Sequence, residues 1–336
     1  MIEFSGCGQE NKSILNENNQ HLVEFLSLVT NNNQLRSETT KVLEKKLSEF
    51  GSCPSAITKI VGSATDGLFF SLLCSELKIG SRIGVTAYSF HASASCILRS
   101  GYIPVFIDVD NNGLMDLDKL EKVANNLDGL IVVQLFGNTV NEEKLLKICN
   151  EYNIKFIEDA AQRHTFSLKL LNCSLCISSV LSFDPNKIFS GIGSGGAVVT
   201  QNTRVAEKIT SLRYHGNGCL DEGYNSQISE SSAWLIKKKI ENYDKWKKKK
   251  NEIAKSYIIA LSKYNLKLKT LVDLDNIKHH SLHKFVIVFE NTADRNYIEK
   301  KLSEENIKTM VHYRYILPEL PRFMKNQKFS NFVKSK

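Results

Sequence analysis

Residues Tyr102 to Phe136 read YIPVFIDVDNNGLMDLDKLEKVANNLDGLIVVQLF. Two apolar runs, Tyr102 to Val109 and Gly129 to Phe136, flank a segment, Leu117 to Asn125, whose apolar residues recur at helical spacing. Strand, helix and strand in this order make the βαβ unit of a parallel sheet. The same rhythm extends both ways. Further strands are expected at Ile57 to Gly62, Arg82 to Ala87, Ile154 to Asp159, Cys176 to Phe183 and Gly195 to Thr200. Helical patterns fall at Asp66 to Leu77, His91 to Arg99 and Glu142 to Tyr152, and an earlier one carries Val42, Leu43, Leu47 and Phe50 before a stop at Gly51. The alternation predicts a mainly parallel α/β sheet with helices on both faces.

The flanks differ. The first ~35 residues are rich in Asn and show only weak helical signals. From Gly223 a long Lys-rich helical region (about Ser229 to Lys263) precedes one strand, LHKFVIVFE, and one helix, DRNYIEKKLSEENI. This divides the chain into residues 1–222, a large α/β domain, and 223–336, a smaller α+β domain that reads as shortened. The tail LPELPRFMKNQKFSNFVKSK shows little regular pattern.

Composition bounds the function. The 336 residues are 42% hydrophobic and 24% charged, as in an ordinary globular protein. No apolar run approaches the roughly 18–20 residues of a membrane span, and no charged-then-apolar signal opens the chain. The expectation is a cytoplasmic protein without a membrane partner. Eight cysteines are too few for a disulfide framework, and the Cys173/Cys176 pair has no second pair to complete a zinc site. The net charge of +8 comes largely from IKKKIENYDKWKKKKNEIAK, Ile236 to Lys255. On a helix, Ile236, Ile240, Tyr243 and Trp246 form an apolar stripe that leaves the lysines on a solvated face, and no nucleic-acid signature accompanies them. His279, His280 and His283 lack a nearby Asp, Glu or Cys set and read as exposed loop histidines; no metal is expected.

Ligands of such sheets sit at the carboxyl ends of the strands. Three sites stand there. In GSATDGLFFSLL, Ser63, Ala64 and Thr65 join a strand to a helix N-terminus, either an ordinary capped turn or an anion cradle. In KFIEDAAQ, Asp159 ends an apolar strand, as a helix cap or as the partner of a protonated ring nitrogen. In SFDPNKIFSGIGSGGAVVT, Lys187 lies between a strand end and a Gly-rich segment, solvated or poised with a depressed pKa to form a Schiff base. Taken together, a phosphate turn, a ring-nitrogen carboxylate and a lysine are the parts that pyridoxal phosphate requires.

The motifs VGSATDGLFFSLL, AYSFHASASCILRSGYIPVFIDVD, EDAAQRH, SFDPNKIFSGIGSGGAVVT, LRYHG, GYNSQIS and VHY, in this order from about Lys41 to Tyr313, resemble the pyridoxal-phosphate-dependent sugar aminotransferases of the DegT/DnrJ/EryC1/StrS family, of the aspartate aminotransferase-like fold type I. By that resemblance Lys187 would bind the cofactor's aldehyde and shuttle protons. Asp159 would hold the pyridine nitrogen and Gln162 would lie near the ring oxygen. Ala64, Thr65 and Ser182, beside Ser63, would hold the phosphate, and Phe90 would stack on the ring. Asn225 would reach the phosphate across a homodimer interface, and His215, His312 and Tyr313 would lie near the sugar. The resemblance implies amino transfer, from glutamate, to a nucleotide-linked keto-deoxysugar.

Departures from the family pattern are Ala64 for Gly, Gln227 for Arg, Thr165 for a frequent Gly, and Arg314 where proline is common. Two alternatives stay open: a pyridoxal phosphate sugar dehydratase, whose relatives replace the lysine by histidine, and a catalytically inactive or regulatory homologue. A nicotinamide enzyme is disfavoured, since no GxGxxG follows the first strand.

Overall fold

The protein is described here by a computed structural model covering residues 7–30, 34–35, 37–219, 222–264 and 267–324. Among these residues seven strands form one sheet: β1 (Ile57–Val61), β2 (Arg82–Thr86), β3 (Ile103–Ile107), β4 (Gly129–Val133), β5 (Lys155–Asp159), β6 (Cys176–Ser182) and β7 (Gly196–Thr200). Their order is β1-β7-β6-β5-β4-β2-β3. Only β7 runs against its neighbours, pairing antiparallel with both β1 and β6. The mainly parallel α/β sheet expected from the alternation is present, and each expected strand contains an observed one.

Helices α1 (Cys7–Glu17), α2 (Asn19–Thr30) and α3 (Glu38–Phe50) precede β1. The strands are joined through α4 (Ala64–Leu73), α5 (Ala92–Arg99), α6 (Leu117–Val123), α7 (Glu142–Tyr152) and the single turn α8 (Leu168–Leu171). The α4 helix begins two residues before the expected Asp66, because the Ser63 hydroxyl accepts the Asp66 N–H at 3.0 Å and caps it there. After β7 come α9 (Thr203–Leu212), α10 (Gly216–Cys219), α11 (Glu230–Glu241) and α12 (Tyr243–Ser262). A hairpin, β8 (Leu268–Thr270) with β9 (Ile287–Phe289), then α13 (Thr292–Glu304) and α14 (Pro321–Met324) complete the described chain.

The sheet is a sealed core. All five residues of β4 and of β7 are buried, as a strand covered on both faces requires. One side chain cluster, including Phe70, Ile131, Phe156 and Val180, fills one face; Leu43, Leu47, Phe183, Ile236 and Ile240 fill the other. The α3 and α11 helices are joined by Glu230, which is fully buried. Its carboxylate accepts the backbone N–H groups of Ser37 and Thr40 at 2.8 and 3.0 Å, so an acid from one helix caps the other.

Two expectations are corrected. The Lys-rich stretch is not one helix with every lysine in solvent: it breaks at Asn242, and Lys239 is fully buried, donating to the Ser190 hydroxyl at 2.6 Å and lying 3.3 Å from Glu10. The weakly patterned start of the chain forms two helices, where Ile14 of α1 packs with Trp234 and Leu235 of α11. In the tail, Phe323 of α14 is buried against Phe106, while residues beyond Met324 lie outside the described part.

Candidate active site

The carboxyl ends of β1, β2, β5 and β6 and the start of the reversed β7 converge on one edge of the sheet. A cavity of about 640 Å³ opens there. It is lined by Ser63, Ala64 and Thr65 at the α4 N-terminus, Phe90 and Ser93 after β2, Asp159 and Gln162 after β5, Ser182 and Lys187 after β6, and His312 and Tyr313 from the C-terminal part. Ten of the twelve residues named from the sequence therefore meet. His215 and Asn225 do not line it: His215 follows α9, with its N–H donating to the Tyr224 carbonyl at 3.1 Å, and Asn225 bridges to Tyr214.

The α4 N-terminus opens on the cavity, with the Ser63 hydroxyl serving as its cap. Three residues of the Ser63–Thr65 turn border the cavity, and β7 begins directly beside it. A Cβ added at Gly196 would lie 2.5 Å from the Ala64 nitrogen, so only glycine lets the strand come this close. From the other side Ser226 ties the turn together, accepting the Gly62 N–H and donating to Asp66, both at 2.8 Å.

Asp159 is the buried acid of the site. One carboxylate oxygen accepts the Ser93 hydroxyl at 2.8 Å and the other the Ala161 N–H at 3.1 Å. Burial raises its pKa; those two hydrogen bonds and the charge of Lys187 pull the other way. A carboxylate so placed favours a cation or an N–H donor in front of it. Lys187 is the complement: burial lowers its pKa, opposed by Asp159 and Asp184. The lysine sits in a loop closed by the Phe183 N–H to the Gly195 carbonyl and the Gly191 N–H to the Phe183 carbonyl, both at 2.8 Å. A lysine with a lowered pKa has a larger share of the free amine, the form that attacks an aldehyde or takes a proton.

Gln162 connects two regions. Its side-chain oxygen accepts the Phe136 N–H at 2.8 Å, and its amide nitrogen donates to the Tyr313 hydroxyl at 3.3 Å. Tyr88 donates to the backbone carbonyl of His312, and burial pushes the Tyr88 hydroxyl up to about 12. Burial likewise raises Tyr313 and lowers His312, favouring the uncharged form of each.

Several residues of this site were not found from the sequence. Ser93 had no signal beyond its place early in a helix. His283 and Lys284 line the cavity, and His280 is buried, whereas all three histidines of that group had been expected to be exposed; only His279 is. The reason is tertiary. The loop after β4 has Phe136 and Gly137 at positive φ, 58° and 98°. It receives the 281–284 segment through the Ser281 N–H to the Gly137 carbonyl at 2.8 Å and the Lys284 N–H to the Phe136 carbonyl at 3.4 Å. A Cβ at position 137 would lie 2.9 Å from that of Ser281, so a glycine signals the contact, but only once its partner is known.

The donor set fits pyridoxal phosphate: a helix N-terminus with hydroxyls, a buried carboxylate, and an amine of lowered pKa share one cavity. Comparison with known proteins agrees. The chain is 29% identical over 279 residues to dTDP-3-amino-3,6-dideoxy-alpha-D-galactopyranose transaminase of Aneurinibacillus thermoaerophilus, covering 80% of this chain and 74% of that one. It is 28% identical over 270 residues to the pleiotropic regulatory protein of Geobacillus stearothermophilus, covering 78% and 72%. The fold matches that of NtdA from Bacillus subtilis, solved with bound cofactor PMP, at a TM-score of 0.83 and 24% identity over 97% of this chain and 76% of the other. The family-wide sequence pattern matches residues 15–335. The chain thus belongs to the DegT/DnrJ/EryC1/StrS aminotransferase family, and is a pyridoxal-phosphate-dependent aminotransferase.

Proposed function

We propose that the protein transfers an amino group from glutamate to the keto carbon of a nucleotide-linked deoxysugar, working as a homodimer. The observation that carries this reading is the meeting of Lys187 and Asp159 in one cavity beside the α4 N-terminus. When bound, pyridoxal phosphate supplies an aldehyde and an electron-withdrawing ring. The chain supplies the rest. Ser63, Ala64, Thr65 and Ser182 hold the phosphate at the positive end of α4. Asp159 keeps the ring nitrogen protonated, and Gln162 faces the ring oxygen. Phe90, 46% exposed at the cavity wall, covers the ring. The neutral amine of Lys187 removes the donor's α-proton in one half-reaction and delivers a proton to the acceptor carbon in the other.

The sugar end falls to His312 and Tyr313, while His215 and Asn225, which do not line their own subunit's cavity, serve the partner's site, Asn225 at its phosphate. Support for a nucleotide-sugar acceptor comes from the dTDP-sugar transaminase relative. A dehydratase is disfavoured because position 187 is lysine. The regulatory reading shares one relative's name but offers no use for the paired Lys187 and Asp159.

The test is a visible spectrum with pyridoxal phosphate, then glutamate, then a panel of nucleotide keto-sugars. Coenzyme absorbance that bleaches with glutamate and returns with one sugar supports the proposal. Protein that stays colourless with excess coenzyme, or bleaches with glutamate yet aminates no sugar, refutes it.

A further inference from the structure

His283 stands in an arrangement that a neutral imidazole cannot satisfy. Its Nε2 lies 2.9 Å from the Asn186 backbone carbonyl, which can only accept. Its Nδ1 lies 3.2 Å from the side-chain oxygen of Gln162. Exchanging the two amide atoms of Gln162 does not help, because the oxygen is fixed by the Phe136 N–H at 2.8 Å, a donor that needs an acceptor. Both ring nitrogens therefore face acceptors. A neutral ring can donate to one of them, and its other lone pair then points at an oxygen.

The charges around the ring oppose the form these bonds ask for. Lys187 comes from the loop after β6, Lys284 is the next residue, and Lys250 reaches in from α12; burial and these cations hold the His283 pKa well below its usual value. The acids nearby are turned to other groups: Asp184 and Asp159 act on Lys187, and Glu10 on Lys250 and Lys239. The hydrogen-bond frame thus favours imidazolium, while burial first and the ammonium groups second oppose it. Of these cations, Lys187 is the one whose charge the reaction changes.

We propose that His283 is a positioning residue whose proton affinity is coupled to the charge of Lys187: it anchors the Asn186 carbonyl, one residue before the lysine, and binds a second ring proton more readily when the Lys187 ammonium is discharged. The meaning for catalysis rests on the aminotransferase reading. With both donors in place, the ring ties Gln162 on the ring-oxygen side to the peptide that carries Lys187, so the lysine's backbone is held most firmly when its amine is free to react. A proton held there would also disfavour recharging of the amine.

The experiment uses cofactor-free protein, so that its failure is distinct from failure of the coenzyme test above. ¹⁵N-histidine NMR, with the His283 signals assigned by their loss in His283→Gln, follows both ring nitrogens against pH in the unmodified protein and in Lys187→Met. Discharging position 187 is expected to raise His283's proton affinity by about tenfold or more, a pKa shift of about one unit, with both nitrogens protonated together. Lys187→Gln repeats the measurement should the methionine variant not fold. A His283 titration unchanged within about 0.2 units, where a like charge removed at close range should give about one, would overturn the coupling. As a check on anchoring, His283→Gln, which keeps a donor for Asn186, should bind pyridoxal phosphate more tightly than His283→Leu. Equal affinities would remove the positioning role.

Discussion

The seven-stranded sheet and the segments on either side of β9, 283–284 and 310–320, line one cavity, yet the sheet and the β8–β9 hairpin are held very differently. Every residue of β4 is buried, whereas β8 and β9 carry no buried residue and α13 presents none to any core. The hairpin region relies on a cluster of four, Ala254, Val272, Ile277 and Leu282. Both walls carry chemistry: the sheet gives Asp159, Ser182 and Lys187, and the C-terminal part gives His283, Lys284, His312 and Tyr313. In the proposed function, the groups that hold the coenzyme stand on the densely packed side. Those assigned to the sugar in the proposed function stand on segments joined to the thinly packed β8–β9 and α13 region.

This contrast can be broken or sharpened by substitution. The largest effect belongs to Lys187→Ala, expected to abolish coenzyme-linked visible absorbance and to cut transamination by ~10⁴-fold or more, read by spectrum and single-turnover assay. Asp159→Ala should leave that absorbance attainable yet reduce transamination by roughly 10²–10⁴-fold, since the ring loses its anion. Retained transamination in either variant would contradict the roles given to them. On the structural side, Phe156→Ala in the sheet core should cost about 3–5 kcal/mol in chemical denaturation.

Ser93→Ala is expected to cost about 1–3 kcal/mol, because a buried carboxylate loses a donor. The pH dependence has a definite sign. Burial raises the folded-state pKa of Asp159, so its ionisation weakens the fold as pH rises through that raised value. Losing the Ser93 hydroxyl raises it further. The Ser93→Ala deficit should therefore shrink in acid, where the carboxyl is protonated, and the acid limb of the rate profile should move to higher pH. Smallest of all, Tyr297→Ala on α13 should stay within about 0.5 kcal/mol of the unsubstituted protein. A loss comparable to that of Phe156→Ala would abolish the contrast between the two regions.

The same contrast explains what could be read from sequence. Strands of the sheet announce themselves by unbroken apolar runs, because both faces are covered, and residues at their carboxyl ends inherit a place in the cavity: Ser63, Asp159 and Lys187 are legible for that reason, whereas Ser182, Phe90, Gln162, His312 and Tyr313 are reached only through the family resemblance. What stayed hidden depends on contacts distant in sequence. Lys239 looked like one more solvated lysine until Glu10 and Ser190 closed over it. His280 and His283 looked like loop residues, because nothing local reveals that Gly137 waits to receive their backbone. Ser93 became relevant only through a carboxylate 66 positions away.

The reversed direction of β7 also governs where the chain tolerates change in length. Lys187 arrives on a direct return between antiparallel neighbours rather than on a crossover helix, and the Gly191-to-Phe183 hydrogen bond divides that return in two. Extra residues spliced beside Gly193, a turn position at φ 79° where a Cβ would meet nothing within 4 Å, would lengthen the 191–195 portion, which does not carry the amine. A single residue spliced between Asp184 and Lys187 would swing the amine off its target. Loop grafting aimed at new acceptors therefore has one permissive site here, a few positions from the one that forbids it.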